Sequence, residues 1–567
     1  MILYPYPKEV TFGEGLYGGA AQDLLKIPAC YDDSMREEEY EIQITNTGMN
    51  LRAKDARAEF RARATLRQVI AEEQIPCMHI HDWPDFPNRG VMLDISRGKV
   101  PTLETLFQLV DWLSGLKINQ VQLYIEGFSF AYPSFPHVWA DKTPITGEEI
   151  QKLDQFCKER YMDLVANQNC FGHMAQWLAL PEYKHLAECP DGFYYLNYPD
   201  RWDPFTLDPT NEEGFKLIQD MFEDLLPNFS SDTVNINCDE TLELGMGKSK
   251  ALCEKVGRET VYRDRILRTY DYLKSKGKKV MFWGDIILHA PHLISTLPKD
   301  MIALNWGYDA YTPSEESCIC FEKSGIPYYM CCGTNAWNSL VGQQDQMLNN
   351  IRNSCLRGKA HGAIGILNTD WGDINHLHYL SASYPGFAYG AAMSWNVSDH
   401  QEQDLCAYLN RFVYEDEAGI MADAVMNAGH FHNLERLQED TNTTYTARTF
   451  LLSLDAVWGN EMPAKSEIMM AYRYLECLRD VFDDTRMKCK DAQLILDEYR
   501  NALEILKYSC MCQLYKRGDY IGGTKESHLQ AMRDAQNIFL PEHERLWMQR
   551  NKRSELKRSQ DFMTKVR

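Results

Sequence analysis

Val234-Asn235-Ile236-Asn237-Cys238-Asp239-Glu240-Thr241 is an apolar β-type run that ends abruptly on two adjacent acids. It is one of eight such runs. The others are Gly90–Leu93, Val121–Ile125, Leu164–Ala166, Val280–Trp283, Ile302–Trp306, Tyr328–Cys332 and Ile364–Leu367. Amphipathic stretches lie between most of them. Leu103, Leu106, Phe107, Val110 and Leu113 recur at helical spacing. A second helix over Val261–Leu273 is stopped by Gly277 before the next run begins. Strands alternating with helices imply parallel pairing and right-handed crossovers. Eight units over roughly 300 residues fit a (β/α)8 TIM barrel better than a doubly wound sheet. No G-x-G-x-x-G follows a strand, which also disfavours a dinucleotide fold.

The flanks read differently. Residues 1–85 form a small N-terminal α/β segment, with strand-like alternation over Tyr40–Thr45 and a helix over Ala58–Ile70. Residues 86–400 carry the barrel. Residues 401–567 lose the β-signal and form a C-terminal α-helical domain, with helical periodicity at Ala471–Val481 and Ala492–Leu506. Trp547, among charges, either packs in that helical core or completes a neighbour's pocket, so a homodimer through these helices is a possible partner arrangement.

Composition narrows function by exclusion. Lys+Arg total 59 and Asp+Glu 81, giving 59 − 81 = −22. That sign opposes nucleic-acid binding and polybasic membrane attachment. No apolar run reaches the roughly 18 residues of a membrane span. The N-terminus lacks a basic region followed by an apolar one, so a cytoplasmic location is expected. The 17 cysteines are an odd count and none forms a C-x-x-C, which reads as reduced thiols and no structural zinc. His79 and His81 show only half a ligand set and precede the barrel. Asp82, Asp85 and Pro87 read as linker chemistry.

In a barrel, reacting groups sit where strands end. The acid pair Asp239 and Glu240 can hold one protonated and one ionised carboxyl, a division suited to glycoside hydrolysis. A solvated helix start explains two acids equally well. The other strand ends tilt that balance. Arg89 opens the first strand and Glu126 follows the second. Asn167, Gln168, Asn169 and His173 follow the third. Trp283 with Asp285, Trp306 with Tyr308 and Asp309, Trp337, and Asp370 with Trp371 and Asp373 follow the rest. Four tryptophans interleaved with acids and amides match a sugar pocket, since sugar rings offer apolar faces and hydroxyls together.

Those residues carry a resemblance. Asn88-Arg89-Gly90-Val91-Met92-Leu93-Asp94-Ile95-Ser96-Arg97 resembles the first-strand motif of family 20 glycoside hydrolases, the β-N-acetylhexosaminidases. Asp239-Glu240 is similar to that family's catalytic pair. Leu123–Glu126, Asn167–His173 and Asn368–Asp373 resemble its shorter, signal-less bacterial-type branch with a helical C-terminal region. The sequence departs from the family where Asn235-Ile236-Asn237-Cys238 replaces His-x-Gly-Gly and where Trp371-Gly372-Asp373 stands for Trp-x-Glu.

The resemblance implies removal of terminal, non-reducing β-linked GlcNAc or GalNAc, with no metal and no organic cofactor. It casts Glu240 as general acid and base, and Asp239 as the group that holds the substrate's own attacking acetamide. It assigns Arg89 to the O3/O4 hydroxyls and Glu126 and Asp373 to polar anchoring, with His173 in support. Trp283, Trp306, Trp337 and Trp371 wall the pocket, and either Tyr308 or Tyr329 contacts the acetamido group. Two rival readings are a related acetamido-sugar hydrolase with a different acid pair and a non-catalytic N-acetylhexosamine-binding barrel.

Overall fold

The computed structural model describes residues 1–195, 200–434, 444–456 and 462–566. Eight parallel strands close into a barrel. They are β6 (Asn88–Asp94), β7 (Gln120–Ile125), β8 (Asp163–Gln168), β11 (Thr233–Asn235), β12 (Lys279–Trp283), β13 (Ile302–Trp306), β14 (Tyr328–Gly333) and β15 (Gly365–Asp370). Each of the eight expected runs is one of these strands. Closure is made by β15 on β6, with Leu367 opposite Gly90. Between β8 and β11 the chain makes a small hairpin, β9 (Phe193–Tyr194) and β10 (Arg201–Trp202), over the barrel mouth.

Before the barrel, β1 (Glu9–Leu16), β2 (Cys30–Tyr31), β3 (Tyr40–Ile44), β4 (Met49–Ala53) and β5 (Pro76–Asp82) form a sheet in the order β1-β5-β3-β4-β2. Helix Ala56–Val69 covers one face of it and is capped by the Asp55 side chain, which accepts from the Ala58 N–H. After the barrel the described chain is helical. Helices Lys465–Asp483, Ala492–Arg517 and Lys525–Arg550 pack in sequence. Trp547 is fully buried there, and its indole N–H donates to the Lys552 carbonyl at 2.8 Å. That placement leaves it no part in a neighbour's pocket.

Polar residues join the sheet to the barrel's floor. Asp82, expected in a linker, is wholly buried; it accepts from Lys117 Nζ at 2.9 Å and from the Trp395 indole at 2.9 Å. Arg89 corrects a second expectation. It lies at the start of β6, the end of the barrel away from the mouth, and is fully buried. Its guanidinium makes a two-pronged contact with Glu38, at 2.9 and 2.8 Å, and donates to the Lys117 and Phe86 carbonyls. With every donor directed at the floor, Arg89 has no route to a sugar hydroxyl.

Glu38 also accepts from Arg61 Nε at 2.9 Å. Burial alone would raise its carboxyl, but the two guanidiniums overcome it and hold the group down at about 2. Removing Glu38 strands two buried cations. Glu38→Ala should therefore cost about 3–5 kcal/mol in reversible unfolding at neutral pH. A depressed carboxylate contributes stability above its unfolded value and loses it as pH falls through the folded one. The difference between variant and wild type should accordingly shrink between the ordinary value of 4.5 and about 2.

Candidate active site

The mouth of the barrel holds a pocket of about 580 Å³, in the range that encloses a small ligand. Its lining is Arg97, His173, Trp202, Asp239, Glu240, Trp283, Trp306, Tyr308, Trp337, Trp371 and Asp373. Nine of the eleven expected site residues therefore converge, each from the loop or last residue at a strand's C-terminal end.

The acid pair follows β11 on a strained backbone. Asn237, Cys238 and Glu240 all take positive φ, at 58°, 70° and 44°. Such conformations cost on the order of 1–3 kcal/mol each and persist only where surroundings enforce them. Here the enforcement is an amide chain rising through the barrel. Gln122 Oε1 accepts from Asn167 and Asn235, at 2.9 and 3.0 Å. Asn237 donates to Asn167 at 2.8 Å and accepts from the Trp283 indole at 2.7 Å. Gly172 completes the fit, because a Cβ there would lie 2.4 Å from the Asp239 carbonyl oxygen. The amides that replace His-x-Gly-Gly in this sequence thus position both the acid pair and one pocket wall.

His173 sits between the acids. Its Nε2 lies 3.2 Å from Asp239 Oδ2 and 3.4 Å from Glu240 Oε2, while Nδ1 lies 3.4 Å from Glu126 Oε2. Nε2 makes no aligned hydrogen bond, so its two contacts are ion-pair approaches, while Nδ1 also lies 3.3 Å from Arg97 Nη2. Burial disfavours the imidazolium, but Asp239 and its neighbouring carboxylates outweigh it and raise His173 well above 6.5. The same contact, set against burial, holds Glu240 below its ordinary value. Asp285 accepts from the Glu240 N–H at 3.1 Å; burial and the nearby Asp239 push it up to about 7.

Arg97 is the arginine of the site, and sequence reading missed it. It falls eight residues after Arg89 in the same quoted motif, just past the C-terminal end of β6. The rule that chemistry sits at strand ends selects it. Its guanidinium lies 3.0 Å from Asp94, 3.0 Å from Glu126 and 3.6 Å from Asp373, and 5.1 Å from the ring centres of both Tyr124 and Trp371. Glu126 stands one layer behind the pocket. It accepts from the Tyr124 hydroxyl at 2.8 Å, and Arg97 with His173 overcomes its burial to bring it to about 2. Glu126 is not among the residues that line the pocket, and its contacts are to Tyr124, Arg97 and His173.

The walls are aromatic. Trp283 and Trp371 meet at 5.9 Å, and Tyr308 packs edge-on against Trp337 at 5.2 Å. Trp306 stacks on Tyr308 at 5.4 Å. Tyr308 faces the pocket, whereas Tyr329 is buried inside the barrel below it. Trp202, also missed, reaches the rim from the β9–β10 hairpin. Its signal is the aromatic run around Phe193 and Tyr195, both of which pack against it.

Comparison with known proteins matches this architecture. Residues 86–356 match the glycosyl hydrolase family 20 catalytic domain, and residues 7–83 match that family's domain 2. The chain belongs to glycosyl hydrolase family 20. Among family members, a beta-hexosaminidase 1 from Coccidioides posadasii is 22% identical over 337 residues, covering 53% of this chain and 55% of that protein. A beta-hexosaminidase from Akkermansia muciniphila is 24% identical over 287 residues, 44% of this chain and 56% of the relative. The chain thus spans about half the length of the curated relatives it matches. A chitobiase structure from Flavobacterium johnsoniae shares the fold over 99% of both chains, with a TM-score of 0.60 at 15% identity. Among the described residues no helix is long and apolar enough to cross a membrane.

A raised histidine contributes stability that is complete below its unfolded value and is lost as pH rises through the folded one. The thermal midpoint of wild type should exceed that of His173→Gln most clearly below pH 6.5, and the gap should close at alkaline pH. Melting curves across pH check this, and a gap independent of pH would contradict an imidazolium at position 173.

Proposed function

We propose that this chain is an exo-acting β-N-acetylhexosaminidase that removes terminal, non-reducing β-linked GlcNAc or GalNAc with retention. The observation that carries the reading is the acid pair at the mouth of an aromatic pocket. Asp239 is buried beneath it, and the Glu240 side chain is 45% exposed and accessible to a leaving group. Family membership and relatives named beta-hexosaminidase support it.

In this reading the substrate's 2-acetamido oxygen attacks C1 as the glycosidic bond breaks, and Glu240 protonates the departing oxygen. Asp239 accepts from the acetamide N–H and stabilises the positive charge that develops on the cyclised amide. Glu240 then takes a proton from the water that reopens the ring at C1. Arg97 and Asp373 take the sugar hydroxyls on one side. Trp283, Trp306, Trp337 and Tyr308 enclose the acetamido end. The free site favours ionised Glu240, so a bound sugar that displaces water from its exposed face raises it for the first step. The free thiols, 17 in number and many of them buried, fit work in a reducing, cytoplasmic compartment.

Glu240→Gln should lower kcat/KM on alkyl or disaccharide substrates by about 10²–10⁴-fold, and far less on aryl glycosides with good leaving groups. Equal losses on both would remove Glu240 from the acid role. Asp239→Asn should lose about 10²–10³-fold on every acetamido substrate, whatever the leaving group. Near-wild-type rates would rule out assistance through Asp239.

A further inference from the structure

Behind Trp371 lies a polar cluster that the proposed reaction does not use. Asp370 ends β15, and His376 and His378 follow in the next loop. All three are buried, Asp370 and His378 completely. One ligand atom from each lies within 4.8 Å of the others, and His378 Nε2 is 3.5 Å from Asp370 Oδ1. A tetrahedral ion with ~2.1 Å bonds spaces its ligands ~3.4 Å apart, so the three side chains must draw together to hold one.

Four buried atoms of the cluster have no hydrogen-bond partner: Asp370 Oδ2, His376 Nδ1, and both ring nitrogens of His378. Leaving such groups unmet costs about 1–3 kcal/mol each. The surroundings organise the donors without satisfying them. Asp370 Oδ1 accepts from Thr334 and Ser383, at 2.6 and 2.8 Å, which fixes the carboxylate and leaves Oδ2 open. The two imidazoles stack at 4.6 Å. A Cβ at Gly372 would lie 2.7 Å from His376 Nδ1, so the glycine leaves that atom room. Two cations stand close to the cluster, and neither donates to its side chains. Arg97 is held by Asp94, Glu126 and Asp373, and Lys99 donates to the His378 carbonyl.

We propose that Asp370, His376 and His378 bind one divalent ion of the zinc and manganese class. Two imidazoles and one carboxylate are donors such ions take, and a water would complete four-coordination. Binding requires the ligand atoms to close by on the order of 1 Å. The ion is structural. It ties the end of β15 to a loop that turns through positive φ at Asp373, Asn375 and His376, and so braces the segment carrying Trp371 and Asp373.

The test is metal content and stability of the full chain. After equilibration with zinc chloride and desalting, elemental analysis should find about one zinc per wild-type chain, and His376→Gln and His378→Gln should each lose it. Zinc should raise the wild-type Tm by about 2 °C or more, EDTA should reverse the rise, and neither should move the variants. Cobalt substitution separates this site from the 17 thiols: the bound ion should show ligand-field bands without thiolate charge transfer. No zinc or manganese bound to wild type would overturn the proposal and leave water to satisfy the four atoms. Zinc retained equally by both variants, or cobalt with thiolate bands, would also overturn it.

Discussion

The mouth of this barrel depends on one balance of buried charge. Two cations, His173 and Arg97, stand among five carboxylates: Asp94, Glu126, Asp239, Glu240 and Asp373. A carboxylate moved out of water unpaired is costly enough to take up a proton instead. The two cations keep Glu126 ionised and hold Glu240 low, so the pocket presents negative charge where a positive intermediate would form. The same arrangement sets distances. His173 spans from Glu126 to both members of the acid pair, and Arg97 spans from β6 to the loop after β15. Strands from opposite sides of the closure are locked together by ion pairs that also define the site.

A second charge cluster does the corresponding work at the other end. Glu38 from the N-terminal sheet neutralises Arg61 and Arg89, and Asp82 neutralises Lys117 beside Trp395. These pairs weld the sheet and the last barrel helix to the floor. The molecule therefore uses arginines at both ends of β6, one structural and one in the pocket, only eight residues apart.

That spacing explains where sequence reading succeeded and where it failed. The eight strands were legible because buried parallel strands are continuous apolar runs, and the runs ended on conspicuous acids and tryptophans. Asp239, Glu240, His173 and the four tryptophans follow from that rule alone. Arg89 was misplaced because a motif was read as a unit without asking which end of its strand each arginine occupies. Glu126 was found at the right strand end, but its side chain turns behind Arg97, and no one-dimensional pattern records that layer. Trp202 and the Asp370–His376–His378 cluster depend on loop paths, where periodicity carries no information. Asp82 looked like a linker residue because its partners, Lys117 and Trp395, lie far away in sequence.

In the proposed reaction the pocket recruits the substrate's own acetamide as nucleophile, held by Asp239. The most direct measurement is hydrolysis by the full chain of matched aryl β-glycosides that differ only at C2, carrying acetamido or hydroxyl. The N-acetylglucosaminide and N-acetylgalactosaminide should turn over with anomeric retention, and the glucoside and galactoside essentially not at all. Comparable rates with and without the acetamido group would contradict that reaction, and so would saturable binding of N-acetylhexosamine with no product released.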